Sequence, residues 1–155
     1  MKTRTLLAAL MVVLSGVALS LAADVDVTAN MGTWKLNEAK SQFSPGATKN
    51  QTVVYAAEGD MVKVTTDGTG KDGKPVHTEW TGKFDGKDYP VTGSPEGDSR
   101  SYIPAGKHSL SMTIKQAGKV VATGKITVAL DGKSRTVTTT GAEPSMNNTA
   151  VYDKQ

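Results

Sequence analysis

The chain has no cysteine and only two histidines, His77 and His108, so thiol chemistry is absent and any imidazole mechanism rests on one of two residues. His77-Thr78-Glu79 sets an imidazole and a carboxylate on one face of an extended segment, two residues apart, a spacing at which they can share a metal ion or a proton. The same alternation turns both away from Trp80 and Phe84 and towards solvent. With only His108 left to complete a ligand set, no metal site is expected. A Ser-His-Asp triad is open to composition alone, but no Gly-x-Ser-x-Gly elbow presents a nucleophile, so the chain reads as non-enzymatic and without a cofactor. Asp-Gly-Lys recurs at 72–74, 85–87 and 131–133. Calcium needs several carboxylates at alternate positions, which these segments lack, and they read as turns. Asn147-Asn148-Thr149 has the form of a glycosylation sequon, relevant only in a eukaryotic secretory pathway. Arg100-Ser101-Tyr102 pairs a guanidinium with a phenol two residues apart. Alternation puts Arg100 and Tyr102 on one face; turned inward the pair can grip an anion, and turned outward it is a solvated arginine beside a packed tyrosine.

The elements that must hold these residues are short strands. Turn sequences recur at Glu58-Gly59-Asp60, Asp67-Gly68, Asp72-Gly73, Asp85-Gly86, Glu96-Gly97-Asp98, Ala117-Gly118 and Asp131-Gly132, close to the roughly 8–12-residue spacing of antiparallel barrels and sandwiches. Strand-like segments fall at 31–36, 51–57, 61–66, 76–84, 88–92, 100–103, 109–115, 120–130, 135–141 and 148–152, and only 37–43 has room for a turn of helix. The segment 76–84 is the clearest: Val76, Thr78, Trp80, Gly82 and Phe84 alternate with His77, Glu79, Thr81 and Lys83. Pro90 predicts an edge, bulge or rim position, and Pro104-Ala105-Gly106 a strand end. Val120, Ala122, Gly124, Ile126, Val128 and Leu130 read as one apolar face, bent at Gly124. Their unbroken order predicts an all-β fold, a single antiparallel up-and-down barrel of about 8–10 strands. A closed sheet of about ten strands is wider than the eight-stranded barrels that side chains just fill, which favours a cavity.

Met1 to Ala23 reads as a cleavable secretory signal peptide: Lys2 and Arg4, then an apolar run from Leu6 to Leu21, then small residues at Ser20, Ala22 and Ala23. The polar Asp24-Val25-Asp26 follows without a basic stop-transfer flank, so export to a periplasm or the extracellular space is expected, with no stable membrane anchor after cleavage. Residues 24–155 then form one domain, with Asp24 to Asn30 a short flexible lead-in and Ser94 to Ser99 its most mobile loop. Loss of Lys2 and Arg4 takes the 18 basic against 15 acidic side chains to 16 against 15, so the formal charge drops from +3 to +1. Dispersed charge near neutrality excludes a phosphate-tracking surface, and no nucleic-acid partner is expected.

Gly32-Thr33-Trp34 on a first strand, ten strand-like segments behind it and a last strand reading Thr149-Ala150-Val151-Tyr152-Asp153-Lys154 resemble the calycin barrels, the lipocalins and fatty-acid-binding proteins. The wording Gly32-Thr33-Trp34-Lys35-Leu36-Asn37 and Phe84-Asp85-Gly86-Lys87-Asp88-Tyr89-Pro90-Val91-Thr92-Gly93 is similar to a group of exported bacterial lipocalin-like proteins without an assigned function. The resemblance implies that Trp34 seals the closed end of the barrel, with Gly32 permitting close backbone approach. It also implies a cavity for a small hydrophobic or amphipathic molecule. The Arg-x-Tyr that holds a carboxylate on the last strand of fatty-acid-binding proteins is missing, since Ala150 stands two before Tyr152. Residues 37–50 are too few for their two-helix lid. The candidate ligand contacts are Trp80, Tyr55, Tyr102, Arg100, Met112 and Tyr152, with Trp80 preferred because Thr78 and Gly82 leave space beside its ring. Tyr89 is a further aromatic candidate, and core packing is the default for every ring. The alternative function is a protein-binding module, such as a periplasmic protease inhibitor, acting through the barrel rim or the N-terminal segment.

Overall fold

The computed structural model describes residues 27–155; the expected leader and residues 24–26 lie outside the described residues. Ten strands form a closed antiparallel barrel: β1 (Gly32–Leu36), β2 (Lys49–Glu58), β3 (Met61–Thr69), β4 (Pro75–Gly82), β5 (Tyr89–Thr92), β6 (Ser99–Gly106), β7 (Ser109–Gln116), β8 (Lys119–Val128), β9 (Ser134–Gly141) and β10 (Asn148–Lys154). Each pairs with its neighbours in sequence, and β1 closes on β10 through Trp34↔Lys154 and Leu36↔Tyr152. The helical content of the described residues is three short 3-10 turns at Val27–Asn30, Glu38–Lys40 and Pro144–Met146. The second is capped by Asn37, whose side chain accepts from the Lys40 N–H.

Up-and-down order puts connections 37–48, 70–74, 93–98, 117–118 and 142–147 on one rim, the mouth, and 59–60, 83–88, 107–108 and 129–133 on the other. The latter end is closed. Trp34, Leu110 and Val128 are buried there, and the Trp34 indole N–H donates to the Asn30 carbonyl at 2.8 Å. Asn30 is itself buried, so residues 27–30 are docked against the barrel instead of forming the loose lead-in expected from the sequence. Gly32 opens β1 at φ +103, next to the side chain of Lys154.

Several local readings are corrected by the register. Asp67-Gly68 is not a turn: β3 runs through it, opposite a bulge in β2 between Asn50 and Thr52. A Cβ at Gly68 would collide with the Lys49 carbonyl, so the glycine serves close strand approach instead of chain reversal. The bend in β8 lies at Val121, not Gly124, because Ile114 pairs with Ala122 and Lys115 with Val120. That extra residue switches the faces, so Val121 packs on the core and Val120 points to solvent. Leu130 sits beyond the strand in the Ala129–Gly132 turn and is fully in water. Pro104 lies within β6 and does not end it, with a bulge just after it.

The thinnest part of the wall is β5, which pairs with β4 only at Glu79↔Thr92 and Trp80↔Val91 and with β6 only at Tyr89↔Arg100 and Pro90↔Ser99. Pro90 sits in this short strand, where few ladder bonds exist to lose. Trp80, Phe84, Tyr89 and Tyr102 pack across the seam, with Trp80 edge-on to Tyr102 at 4.8 Å between centroids. The Trp80 indole N–H donates to the Arg100 carbonyl at 2.9 Å, joining β4 to β6 over the short strand.

Candidate functional site

The sorting of basic residues is the first observation that a barrel core alone does not explain. Among the described residues the only arginines are Arg100 and Arg135, and both are buried inside the barrel, whereas no lysine is buried. The buried polar and charged residues are otherwise Asn30, Thr66, Thr78 and Ser101, so no carboxylate is buried with the two guanidiniums. Taking an unpaired cation out of water costs several kcal/mol, and hydrophobic residues of similar volume would avoid that cost.

Arg100 enters from the start of β6, where alternation turns Arg100 and Tyr102 inward together; its Nη1 donates to the Tyr102 hydroxyl at 3.3 Å, and no protein group accepts from its Nε. Arg135 enters from β9. Its guanidinium lies 4.7 Å from the Trp34 ring, 4.8 Å from Tyr55 and 5.0 Å from Tyr152, a cage of three aromatic faces that supplies cation–π attraction. Rings do not satisfy N–H donors laterally, and Arg135 Nε and Nη1 have no hydrogen-bond acceptor. Three buried guanidinium donors are therefore open.

Both arginines line one space. A chamber of about 80 Å³ inside the barrel is lined by Arg100, Arg135, Tyr55, Tyr102, Tyr152 and Met112, by Thr66, Thr139, Asn50 and the carboxylate of Glu96, and by Val and Ile side chains between them. Thr66 is tied to Thr78 by a 2.6 Å hydroxyl pair. Burial pushes the Tyr152 phenol up to about 12, with the Arg135 charge opposing and Glu96 adding to the rise. Tyr55 is raised further by burial and by Tyr102, with Arg135 and Arg100 opposing. Both phenols are thus neutral hydroxyl donors at physiological pH. Two guanidiniums and three phenols facing one chamber make a donor-rich pocket for an oxyanion.

The chamber is small beside the roughly 300–1,000 Å³ of pockets that enclose drug-sized ligands. The width expected of ten strands is taken up by Trp34, Trp80, three tyrosines, two arginines and Met112. Above the chamber lies a throat of about 60 Å³ lined by Phe43, Thr48, Asn50, Glu96, Asn148 and Tyr152, among others. Beyond it, between the mouth loops, a vestibule of about 480 Å³ is bordered by Lys71, Asp72, Lys74, Val76, Pro95, Glu96, Glu143 and Met146. Chamber, throat and vestibule meet at Glu96, the one residue that lines all three.

Of the ligand contacts expected from the sequence, Tyr55, Arg100, Tyr102, Met112 and Tyr152 line the chamber together. Trp80 does not; its ring is stacked and bonded into the β4–β6 seam. Arg135 and Glu96 were not among those expected. Arg135 shares a strand face with Val137, a faint signal in a threonine-rich segment; nothing local marks the second. His77 and Glu79 face solvent as read, and the His77 Nδ1 meets Asp67 at 2.6 Å. Among the described residues no group of three or more His, Asp or Glu is placed to hold a metal ion.

No protein-family model matches the chain, and no curated protein matches it. Among solved structures, a redesigned β-barrel, mFAP1, bound to DFHBI is similar over 82% of this chain and 96% of that one, at 15% sequence identity and a TM-score of 0.47.

Proposed function

We propose that this protein is an exported, non-enzymatic barrel of calycin type that binds a small amphipathic molecule by its anionic group. The anion enters the chamber and takes the open donors of Arg100 and Arg135, while the bulk of the molecule occupies the throat and vestibule. One observation carries the reading: both arginines of the described barrel are buried, line the same chamber, and keep three guanidinium nitrogens without a protein acceptor. A carboxylate, sulfate or phosphate oxygen satisfies such donors in the bidentate geometry that guanidinium favours. The chamber is too small for an alkyl chain or a ring system, so this orientation is anion-inward. Export rests on the sequence of residues 1–23 and the calycin assignment on Gly32-Thr33-Trp34 with the 3-10 turn packed beneath it.

The test is calorimetric titration with octyl sulfate, octanoate and 1-octanol, which share a tail and differ in head group. Both anions are expected to bind one to one, and the alcohol at least about tenfold more weakly, the loss of about one charge-assisted hydrogen bond. Equal binding of the alcohol would make the arginines purely structural. Failure of all three would move the function to the protein-binding alternative.

A further inference from the structure

Glu96 lines the vestibule, the throat and the chamber that the two arginines line. This side chain sits on the connection between β5 and β6, and that connection is fixed at both ends. The Val91 N–H donates to the Asp98 carbonyl and the Asp98 N–H to the Lys115 carbonyl, each at 2.9 Å. The Asp98 carboxylate accepts the Ala117 N–H at 2.7 Å, tying the loop to the β7–β8 turn. Gly93 (φ +72) lies against the His77 carbonyl and Gly97 against that of Lys115, where a Cβ would collide with backbone in both cases. The loop expected to be the most mobile part of the chain is thus moored on two strands, and it presents Glu96 to the throat. Glu96 is half-buried, and among the described residues no salt bridge engages it. Its charge nevertheless acts on Arg100 and on Tyr152 below.

Resting on the reading that the chamber takes an anion, we propose that Glu96 is a specificity-determining charge gate: a fixed carboxylate shared by vestibule, throat and chamber, against which an incoming anion's affinity is set. The gate stabilises the empty barrel by offsetting part of the field of Arg100, and it repels any bound anion across the throat. Weakly held anions, which lack an apolar body to fill the vestibule, are thereby rejected, while amphipathic ones retain enough contact to bind. Glu96 touches no reacting atom and needs no group to transfer; its action is electrostatic.

Glu96→Gln keeps the shape and removes the charge. Octyl sulfate titrated into the mature protein is expected to bind E96Q at least about fivefold more tightly than wild type, as two charges several ångströms apart at a partly exposed site imply. 1-Octanol should not distinguish the two proteins. Inorganic sulfate, rejected by wild type, should become measurable with E96Q. Octyl sulfate bound by wild type with no gain in E96Q overturns the gate and leaves the anion site standing. Binding by neither protein overturns both.

Discussion

Replacing Arg100 by methionine separates a binding residue from a folding residue, because the two roles predict opposite signs of stability change. Arg100 buries an Nε–H with no acceptor and holds Tyr102 through a single long contact of 3.3 Å. An unsatisfied buried donor costs about 1–3 kcal/mol, and the desolvated charge adds to it. Against this stand the Tyr102 hydrogen bond, weak at that length and worth about 1 kcal/mol, and the attraction of Glu96, which solvent screens because that side chain is half exposed. Methionine fills most of the volume with apolar contact. The balance favours Arg100→Met by about 1–2 kcal/mol, within the range seen when buried ions are replaced by hydrophobic groups. For a domain of this size that is a rise in Tm of about 4–8 °C. The assay is thermal and urea denaturation followed by tryptophan fluorescence, with octyl sulfate titration of the same samples. The expected outcome is a more stable protein that has lost at least about tenfold in anion affinity. A variant that melts below wild type, or that binds octyl sulfate unchanged, would refute the reasoning, since Arg100 would then be held for packing.

Trp80→Phe removes the indole donor to the Arg100 carbonyl while keeping an aromatic ring in the seam. It should cost about 1–3 kcal/mol in urea denaturation and leave octyl sulfate affinity within about twofold; a selective loss of affinity would return Trp80 to the ligand site. The His77 imidazole is raised above its ordinary pKa by its bonds to Asp67 and Glu79. Its folded value exceeds the unfolded one, so its contribution to stability is full below about pH 6.5 and fades as pH rises through the raised value. The urea midpoint of wild type measured at pH 5.5 and pH 8.5 should therefore fall more than that of His77→Gln, and equal falls would contradict the assignment. Tyr55 and Tyr152 ionise above the usual tyrosine range because they are buried. Stability should drop from about pH 10 upward, where unfolded phenols ionise and folded ones do not. In an ultraviolet titration at 295 nm, part of the tyrosinate signal should appear only with alkaline unfolding, and Tyr152→Phe should reduce that late fraction.

Much of the wall of this barrel is readable from alternation and turns, because each strand has one wet face and hydrophobicity then repeats every two residues. In β4 the inward set Thr78, Trp80 and Gly82 stands where the pattern puts it. Arg100 and Tyr102 share a face for the same reason, and the remaining question of inward or outward is settled by their position among buried residues of β6. Arg135 was harder to see. Its strand, Ser134–Gly141, is dense in threonine, which suits either face, so the alternation that marks an interior residue is nearly erased. The face switch in β8 turns on one extra residue at Val121, and a bulge of this kind leaves no local signature. Glu96 acquires its place only when Gly93 and Gly97 bring the loop against β4 and β7, a contact between segments far apart in the chain. The size of the chamber is a difference between barrel width and summed side-chain volume, and no single residue encodes it.

The central claim is that the two buried guanidiniums hold a bound anion, and nitrogen-15 NMR of the arginine side chains addresses it directly. In the protein without its leader, Arg100 and Arg135 are the only arginines, so their Nε–H groups give two resonances with no overlap from others. Octyl sulfate should shift both and slow their exchange with water, with saturation at one equivalent and with no such change on adding 1-octanol. Resonances that stay in place while octyl sulfate binds elsewhere would contradict the account, because the anion would then be held outside the chamber.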